Sequence, residues 1–353
     1  MPVFLFGISL FDCKGAKDAE TDDSSPLHVL SLPTSPSSCQ CLRCLFGSFS
    51  LGSPATNFAV RDAVGGGFTG RCMESLSKCF ALMQGAATIS DVLANALLGL
   101  LCAASVAALS VRLRALTPSG AIATTAVGTA VFAAGGVRWA AILILFFVSS
   151  SALSRLQEGS DKPAKTGARD GMQVVANGGF PAIYALCFIW HASPLWTAGF
   201  AGAVAVATAD TWATEIGARS RTPPVRITTG QPLDPGTSGG VTLLGTFASL
   251  LGSSAIAIAG RIILQASNAT MTSIALAGLL GSLVDSTLGA TLQELRRCPE
   301  CLVVTEQRIH RACGTPTEVI RGWHGFDNDA VNMAACGIGS LITMLLAATT
   351  GAR

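Results

Sequence analysis

The amino-acid sequence predicts an all-α polytopic membrane protein, a bundle of about eight spanning helices with a disordered N-terminal tail and a small Cys/His loop. Half of the 353 residues are hydrophobic and only 12% carry a charge, with a mean hydropathy of +0.53. Soluble domains carry about 25% charged residues. Apolar runs long enough to cross a bilayer recur along the chain. The net charge of +2 is too small to indicate nucleic-acid binding.

Residues 1–87 differ in composition from the rest of the chain. Positions 24–60 contain no Asp or Glu and are rich in Ser, Pro and Leu, a composition that does not bury a core. We expect a disordered tail or a targeting leader, because plastid transit peptides are acid-poor and Ser-rich. The acids clustered in the first 23 residues fit a leader poorly, and a misplaced start codon is a third interpretation. The integral membrane domain is expected at 88–353.

Eight apolar segments are expected in that domain, separated by Gly, Pro and charged residues. They are 91–111, 119–135, 138–153, 174–191, 195–217, 239–263, 272–292 and 330–349. With eight spans, nearly all Arg and Lys residues of the loops fall on one side, which the positive-inside rule assigns to the cytosol or its organellar equivalent. The expected location is a multi-pass position in a membrane, with the plastid envelope and the endoplasmic reticulum both open.

Three acidic residues fall within the apolar segments. Asp210 and Glu215 lie in the fifth segment, and Asp285 lies in the middle of the seventh. Charges there are costly and mark functional candidates. The first two are about 140° apart on a regular helix, so they share an ion only if the helix unwinds or both lie at its mouth. Carboxylates with substrate phosphates suit Mg²⁺. The alternative is pairing with Arg169 or Arg219 for packing.

A loop rich in Gly, Thr and Ser joins the fifth and sixth segments. Its hydroxyls and unhindered amides precede a helix, which is an arrangement that binds phosphate. It is not a Walker A loop, because no GK[ST] follows, and a simple turn is the alternative. The candidate phosphate-binding residues are Arg226, Thr228, Thr229, Gly230, Gly236, Thr237, Ser238, Gly239 and Gly240.

Polar residues also lead into the fourth and the last apolar segments. Amides inside apolar helices need partners, which are either other helices or substrate. The residues are Arg169, Gln173 and Asn177 at helical spacing, and Asn328, Asp329 and Asn332 before the last segment.

A Cys/His loop is expected at 294–325. Cys298, Cys301, His310 and Cys313 give the pattern C-x2-C-x8-H-x2-C, which predicts a small structural zinc site with Cys3His ligation. Thiols without metal are the alternative, and His324 is a possible substitute ligand.

Several long motifs carry a family resemblance. They are FFVSSSALSR (146–155), ARDGMQVVANGG (168–179), ADTWATEIG (209–217), PPVRITTG (223–230), PGTSGGVTLLGT (235–246), GLLGSLVDSTLGATLQ (278–293) and FDNDAVN (326–332). In these motifs the chain resembles the transmembrane protein 19 family, also known as domain of unknown function 92. That family includes the plant phytyl-phosphate kinases.

The resemblance implies an integral membrane kinase that transfers a phosphoryl group from a nucleotide, by resemblance CTP, to a prenyl phosphate such as phytyl phosphate. Asp210, Glu215 and Asp285 would hold Mg²⁺, and Arg169 or Arg226 would contact the transferred group. The Cys/His loop departs from the phytyl-phosphate kinases, which puts the phytyl substrate in doubt. The rival is a transporter or a non-catalytic membrane regulator, because intramembrane acids also mark transport sites. The expected partners are the bilayer, a prenyl phosphate and a nucleotide.

Overall fold

A computed structural model describes residues 89–158, 167–310 and 312–350. The predictions for residues 1–87 lie outside these ranges. The described chain contains seven helices and seven short strands. The helices are α1 Ile89–Arg112, α2 Pro118–Glu158, α3 Gly171–Trp190, α4 Pro194–Gly217, α5 Leu243–Ile263, α6 Asn268–Thr291 and α7 Asn328–Thr349. The strands are β1 Val225–Arg226, β2 Gly240–Val241, β3 Leu295–Arg297, β4 Val304–Thr305, β5 Ile309–His310, β6 Thr315–Pro316 and β7 Glu318–Arg321.

The all-α membrane architecture is confirmed. Six of the helices are long and apolar enough to cross a bilayer, all except α4. Helix α4 instead forms the centre of the bundle, where every residue from Ala198 to Ala209 is buried. It packs against α2, α3, α5, α6 and α7. The core therefore forms around a helix of Ala, Gly and Val whose small side chains let its neighbours approach closely.

Helix α2 is a helical hairpin. A straight helix of its 41 residues would be about 61 Å long, twice the roughly 30 Å of a bilayer core. The chain is not helical at Gly136, where φ is 55° and ψ is −147°, a conformation open essentially to glycine. Beyond it the chain returns, since Arg155 donates a hydrogen bond to the carbonyl of Leu113 at 2.9 Å. The two segments predicted at 119–135 and 138–153 are the two arms of this hairpin.

The long loops share one end of the bundle. Arg169 pairs with the α1–α2 loop through backbone hydrogen bonds of 3.0 Å to Ala115 and Thr117. Strand β1 pairs with β2 between α4 and α5, and residues 292–327 lie between α6 and α7. We call residues 292–327 the Cys/His module, and the shared end of the bundle the loop end.

Three predicted boundaries are wrong by a few residues. The predicted sixth segment begins at Gly239, whereas α5 begins at Leu243, because Gly240–Val241 forms β2 and the Thr242 hydroxyl caps the helix by accepting from the Gly245 N–H. The predicted seventh segment begins at 272, whereas α6 begins four residues earlier, at Asn268, and is capped by Ser267. The predicted fourth segment begins at 174, whereas α3 begins at Gly171, directly after its cap Asp170.

The Cys/His module is built from short antiparallel strands. Strand β3 pairs with β4 and β7 in a three-stranded sheet, and β5 pairs with β6 as a hairpin. Backbone hydrogen bonds from Trp323 to Leu292 and from Glu294 to Phe326 close its base next to the ends of α6 and α7.

Candidate functional site

A cavity of about 1170 Å³ lies at the loop end of the bundle. It gathers residues that the sequence scatters over more than 200 positions, from Val111 at the end of α1 to Asn332 in α7. The predicted site residues among its lining are Arg169, Gln173, Asn177, Asp210, Glu215, Gly236, Thr237, Ser238, Gly239, Gly240, Asp285, Asn328 and Asn332.

Asp210 of α4 and Asp285 of α6 line this cavity from two helices in contact. Both carboxylates act electrostatically on the thiol of Cys336 in α7, which is buried one turn beyond Asn332. Three helices therefore present two carboxylates and an amide toward one region. Counted from the helix ends at Gly217 and Thr291, both acids lie about 10 Å along their helices, at matching depths below the loops.

Glu215 has a different environment from the other two acids. Its side chain is only 7% exposed, and its carboxylate accepts a 2.6 Å hydrogen bond from the Ser154 hydroxyl in α2. Helix α4 continues regularly to Gly217, so no unwinding turns Glu215 toward Asp210. Sequence reasoning did not single out Ser154, and its only signal is its place in the motif FFVSSSALSR.

Arg169 lies beside Glu215. Burial lowers the pKa of Arg169, and the negative charge of Glu215 opposes this shift. Its guanidinium carbon lies 6.0 Å from the centre of the Phe146 ring. Arg169 and Glu215 are thus close enough to interact electrostatically, as the pairing alternative expects of one acid. Arg169 still lines the cavity.

The polar residues that lead into α3 and α7 divide into capping and lining groups. Asp170 caps α3 by accepting from the Gln173 N–H at 3.0 Å, and the Asn177 amide donates to the Gln173 carbonyl at 3.0 Å. Gln173, Asn177, Asn328 and Asn332 line the cavity, whereas Asp329 does not.

Only the second half of the predicted phosphate loop reaches the cavity. Gly236 to Gly240 line it, whereas Arg226, Thr228, Thr229 and Gly230 do not. Gly239 has a φ of +83°, and a Cβ there would lie 2.5 Å from the backbone of Ala290 in α6. Glycine is therefore required where this turn meets the helix.

Cys298, Cys301, His310 and Cys313 come together in the Cys/His module. Their ligand atoms all lie within 4.8 Å of one another. His310 Nδ1 lies 3.3 Å from Cys301 Sγ and 3.2 Å from Cys313 Sγ. Tetrahedral zinc with these ligands separates nitrogen from sulfur by about 3.5 Å. The four side chains therefore form a group that can hold a metal ion.

The thiols of this cluster differ in acidity. Backbone N–H groups of Cys301 and Glu300 donate to the buried sulfur of Cys298 and lower its pKa to about 7. The hydrogen bond with Cys301, together with burial, raises the pKa of Cys313 to about 12. A metal ion needs thiolates, and the lowered pKa of Cys298 favours its thiolate.

Comparison with known proteins identifies the family. The model of the family described as integral membrane protein DUF92 matches residues 101–340. The chain belongs to the DUF92 family. The match contains every residue that lines the cavity and all four residues of the Cys/His cluster.

Three relatives show how far the similarity extends. Protein PGR of Arabidopsis thaliana is 31% identical over 268 residues, which cover 67% of this chain and 90% of the relative. An uncharacterized membrane protein of Methanocaldococcus jannaschii is 30% identical over 183 residues, 51% of this chain and 76% of its own. An uncharacterized membrane protein of Synechocystis is 29% identical over 186 residues, 50% of this chain and 72% of its own. No solved structure matches the chain.

Proposed function

We propose that this DUF92 protein is an integral membrane kinase that transfers a phosphoryl group from a nucleotide, CTP by family resemblance, to a prenyl phosphate such as phytyl phosphate. The observation that carries the proposal is the cavity in which two carboxylates, an arginine and a Gly-rich loop come together at the loop end of the bundle. Phosphoryl transfer depends on positioning and charge neutralisation, and these groups supply both.

The donor set at Asp210 and Asp285 fits Mg²⁺. Hard divalent cations prefer carboxylate oxygens together with substrate phosphates, and the cavity adds the Asn332 amide and the Ser282 hydroxyl one turn from Asp285. Glu215 already accepts a hydrogen bond from Ser154, and its proposed role is to orient Arg169 through their opposite charges. When bound, Mg²⁺ would offset the negative charge of the phosphates.

The depth of the acids suits a lipid phosphate. They lie about 10 Å along their helices, and α4 and α6 meet through glycines such as Gly278 and Gly281. A prenyl chain would extend among these small residues while its phosphate reaches the carboxylates. The nucleotide would enter from the loop end, where Gly236, Ser238 and Gly239 would offer backbone N–H groups to its phosphates. The N–H groups of Thr237 and Gly240 instead donate within the turn.

The transfer step needs few groups from the protein. An oxygen of the prenyl phosphate attacks the terminal phosphorus of the nucleotide, and the bond from that phosphorus to its bridging oxygen breaks. The products are a prenyl diphosphate and a nucleoside diphosphate. Arg169 would neutralise charge on the transferred group, and the loop N–H groups would hold the leaving phosphate.

The direct test is turnover by the purified chain. Labelled CTP, ATP and GTP are each offered with phytyl phosphate and other prenyl phosphates, and the diphosphate product is measured. Asp210→Asn and Asp285→Asn should each lower turnover about a hundredfold or more while leaving folding unchanged, because each removes charge that offsets phosphate charge. Asp234→Asn is the matched control. Asp234 is an exposed acid of the Gly-rich loop between α4 and α5, and it does not line the cavity.

One outcome would contradict the proposed role of a carboxylate, and another would contradict the kinase itself. Near-normal turnover in a folded Asp210→Asn or Asp285→Asn protein would remove that carboxylate from the site. Absence of turnover with every nucleotide, together with solute uptake that Asp210→Asn abolishes, would establish the transporter alternative instead.

For the Cys/His module we propose a structural zinc ion. Its support is the grouping of three sulfurs and His310 Nδ1 within 4.8 Å of one another, because structural zinc sites have four protein ligands of these types.

A further inference from the structure

Two arginines approach the Gly-rich loop outside the cavity. Arg321 of β7 donates from Nη2 to the carbonyl of Gly289 in α6 at 3.1 Å. Gly289 packs against Ser238 and Gly239, since a Cβ on Gly289 would lie 3.1 Å from the Gly239 nitrogen. Arg226 of β1 is the register partner of Gly240 in β2. The two arginines are 95 positions apart in sequence, yet both lie at the turn formed by residues 238–240.

The charges of this cluster do not cancel. Burial lowers the pKa of Arg321, the positive charge of Arg226 lowers it further, and Glu306 opposes both. Glu306 also accepts a hydrogen bond from the Ser238 hydroxyl. Arg321 therefore interacts with one positive and one negative neighbour, and the cluster of Arg226, Arg321 and Glu306 keeps one net positive charge.

The hydrogen-bonding capacity of the arginines is also unfilled. The Nε atoms of Arg226 and Arg321 are both buried, and within the described part of the chain neither has a hydrogen-bond acceptor. Buried donors without partners are costly, and more so when they carry charge. A ligand that brings acceptor oxygens and negative charge would relieve both deficits.

We propose that Arg226 and Arg321 form a second anion site, separate from the cavity, that binds a phosphate group. The planar fork of a guanidinium matches two oxygens of a phosphate, and two forks at one turn can hold one phosphate between them. Neither arginine lines the cavity, so this site does not depend on the proposed kinase activity. Its phosphate is either free in solution or the headgroup of a membrane lipid.

A structural interpretation competes with the site. Arg321 and Glu306 would then only fasten the Cys/His module to the loop, through Gly289 and Ser238, and no ligand would bind. This interpretation predicts that substituting the arginines changes stability equally with and without phosphate.

The experiment measures the thermal unfolding of the full chain in detergent as inorganic phosphate replaces chloride at constant ionic strength. Wild-type protein should be stabilised saturably, and Arg226→Gln and Arg321→Gln should each weaken the apparent phosphate affinity about tenfold or more, because each removes one charged fork. Arg219→Gln, at an exposed arginine of the same end of the bundle, should match the wild type.

Arg169→Gln separates this site from the cavity. If phosphate binds at Arg226 and Arg321, stabilisation survives Arg169→Gln, which removes the arginine of the cavity. If Arg321→Gln does not fold, Arg226→Gln still decides the question.

A lipid arm uses nanodiscs of phosphatidylcholine with and without phosphatidic acid, in buffer without phosphate. Stabilisation by phosphatidic acid that Arg226→Gln removes identifies a lipid headgroup, and stabilisation by soluble phosphate alone identifies a ligand from solution. The proposal is overturned if neither phosphate source stabilises the wild type, or if both arginine variants respond as the wild type does.

Discussion

The helical bundle and the Cys/His module differ in how their side chains are packed and therefore in what stabilises them. In the bundle, backbones approach until a single added carbon would collide, as at Gly202, where a Cβ would lie 2.3 Å from the Thr343 hydroxyl. The module instead exposes its apolar side chains, among them Leu302 at 67% and Trp323 at 64%. Its buried residues are mostly polar or sulfur-bearing, such as Cys298, Glu294 and Thr317.

The difference indicates which interactions stabilise each region. The bundle of the described chain consists of seven helices in a bilayer, where close packing of small residues holds helices together. The module is below the size at which a hydrophobic core is sufficient, and segments of that size usually need a metal or disulfides. We therefore expect the bundle to be sensitive to added volume and the module to lost ligands.

The largest expected effect is loss of the metal. Cys298→Ser combined with Cys301→Ser should remove roughly one zinc ion per chain and unfold the module, because structural zinc contributes on the order of 10 kcal/mol in small domains. Metal analysis and limited proteolysis between residues 292 and 327 report these two changes. The bundle should still elute as a folded species.

Cys102→Ser is the control, since Cys102 lies exposed on α1, and it should keep the zinc. Wild-type protein that carries no zinc when freshly prepared under reducing conditions would rule out the structural zinc ion.

The next effect is added volume in the bundle. Gly202→Ala should destabilise the protein by about 3 kcal/mol, because its methyl group collides with Thr343, which is fully buried and bonded to the Gly339 carbonyl, and overpacked cores cannot relax freely. Thermal unfolding followed by size-exclusion chromatography measures the loss.

Gly179→Ala provides the matched comparison within a helix. The nearest atom to its added carbon is 3.7 Å away, and alanine favours helix over glycine by about 1 kcal/mol. It should be neutral or stabilising. Equal losses at Gly202 and Gly179 would contradict the close packing at α4.

The smallest effect concerns a carboxylate at the base of the module. The Gly325 N–H, together with Arg296, holds the pKa of Glu294 below its usual value, although burial opposes this. Glu294→Gln should therefore cost about 1–3 kcal/mol at neutral pH. A depressed pKa stabilises the fold above the unfolded-state value near 4.5, and the contribution is lost as the pH falls through the folded value.

Hydrogen exchange of the module amides in wild type and variant, corrected for intrinsic rates, measures this difference. It should shrink at acidic pH. Glu318→Gln, at an exposed position of β7 in the same sheet, should change exchange little at any pH. A difference at Glu294 that does not depend on pH would assign it a purely steric role.

The sequence predicted most of the architecture and much of the cavity lining for identifiable reasons. Apolar length predicted the spans, and the pair Gly135–Gly136 marked the break in α2. Intramembrane charge singled out Asp210 and Asp285, and ligand spacing predicted the Cys/His cluster. Each of these signals is local or compositional, so it can be recognised in the sequence without knowledge of the fold.

Contacts between distant segments could not be predicted in the same way. No spacing rule joins Ser154 to Glu215, or Arg226 to Arg321, because only the folded chain brings them together. The start of α5 was misplaced because Gly239 to Val241 is apolar enough to resemble a helix, whereas the positive φ of Gly239 and the pairing of β2 decide otherwise. The candidate roles of these residues in catalysis remain predictions for the assays above.

The turn at Gly136 has a consequence for the compartments on either side of the membrane. Each time the chain crosses the membrane, the next loop lies on the opposite side. A hairpin at 118–158 crosses twice and returns the chain to the side it left, whereas one long helix would cross only once. Residues other than glycine resist the combination of a φ of 55° and a ψ of −147° found there. One glycine therefore decides from which compartment the cavity, the Gly-rich loop and the cysteine cluster are reached.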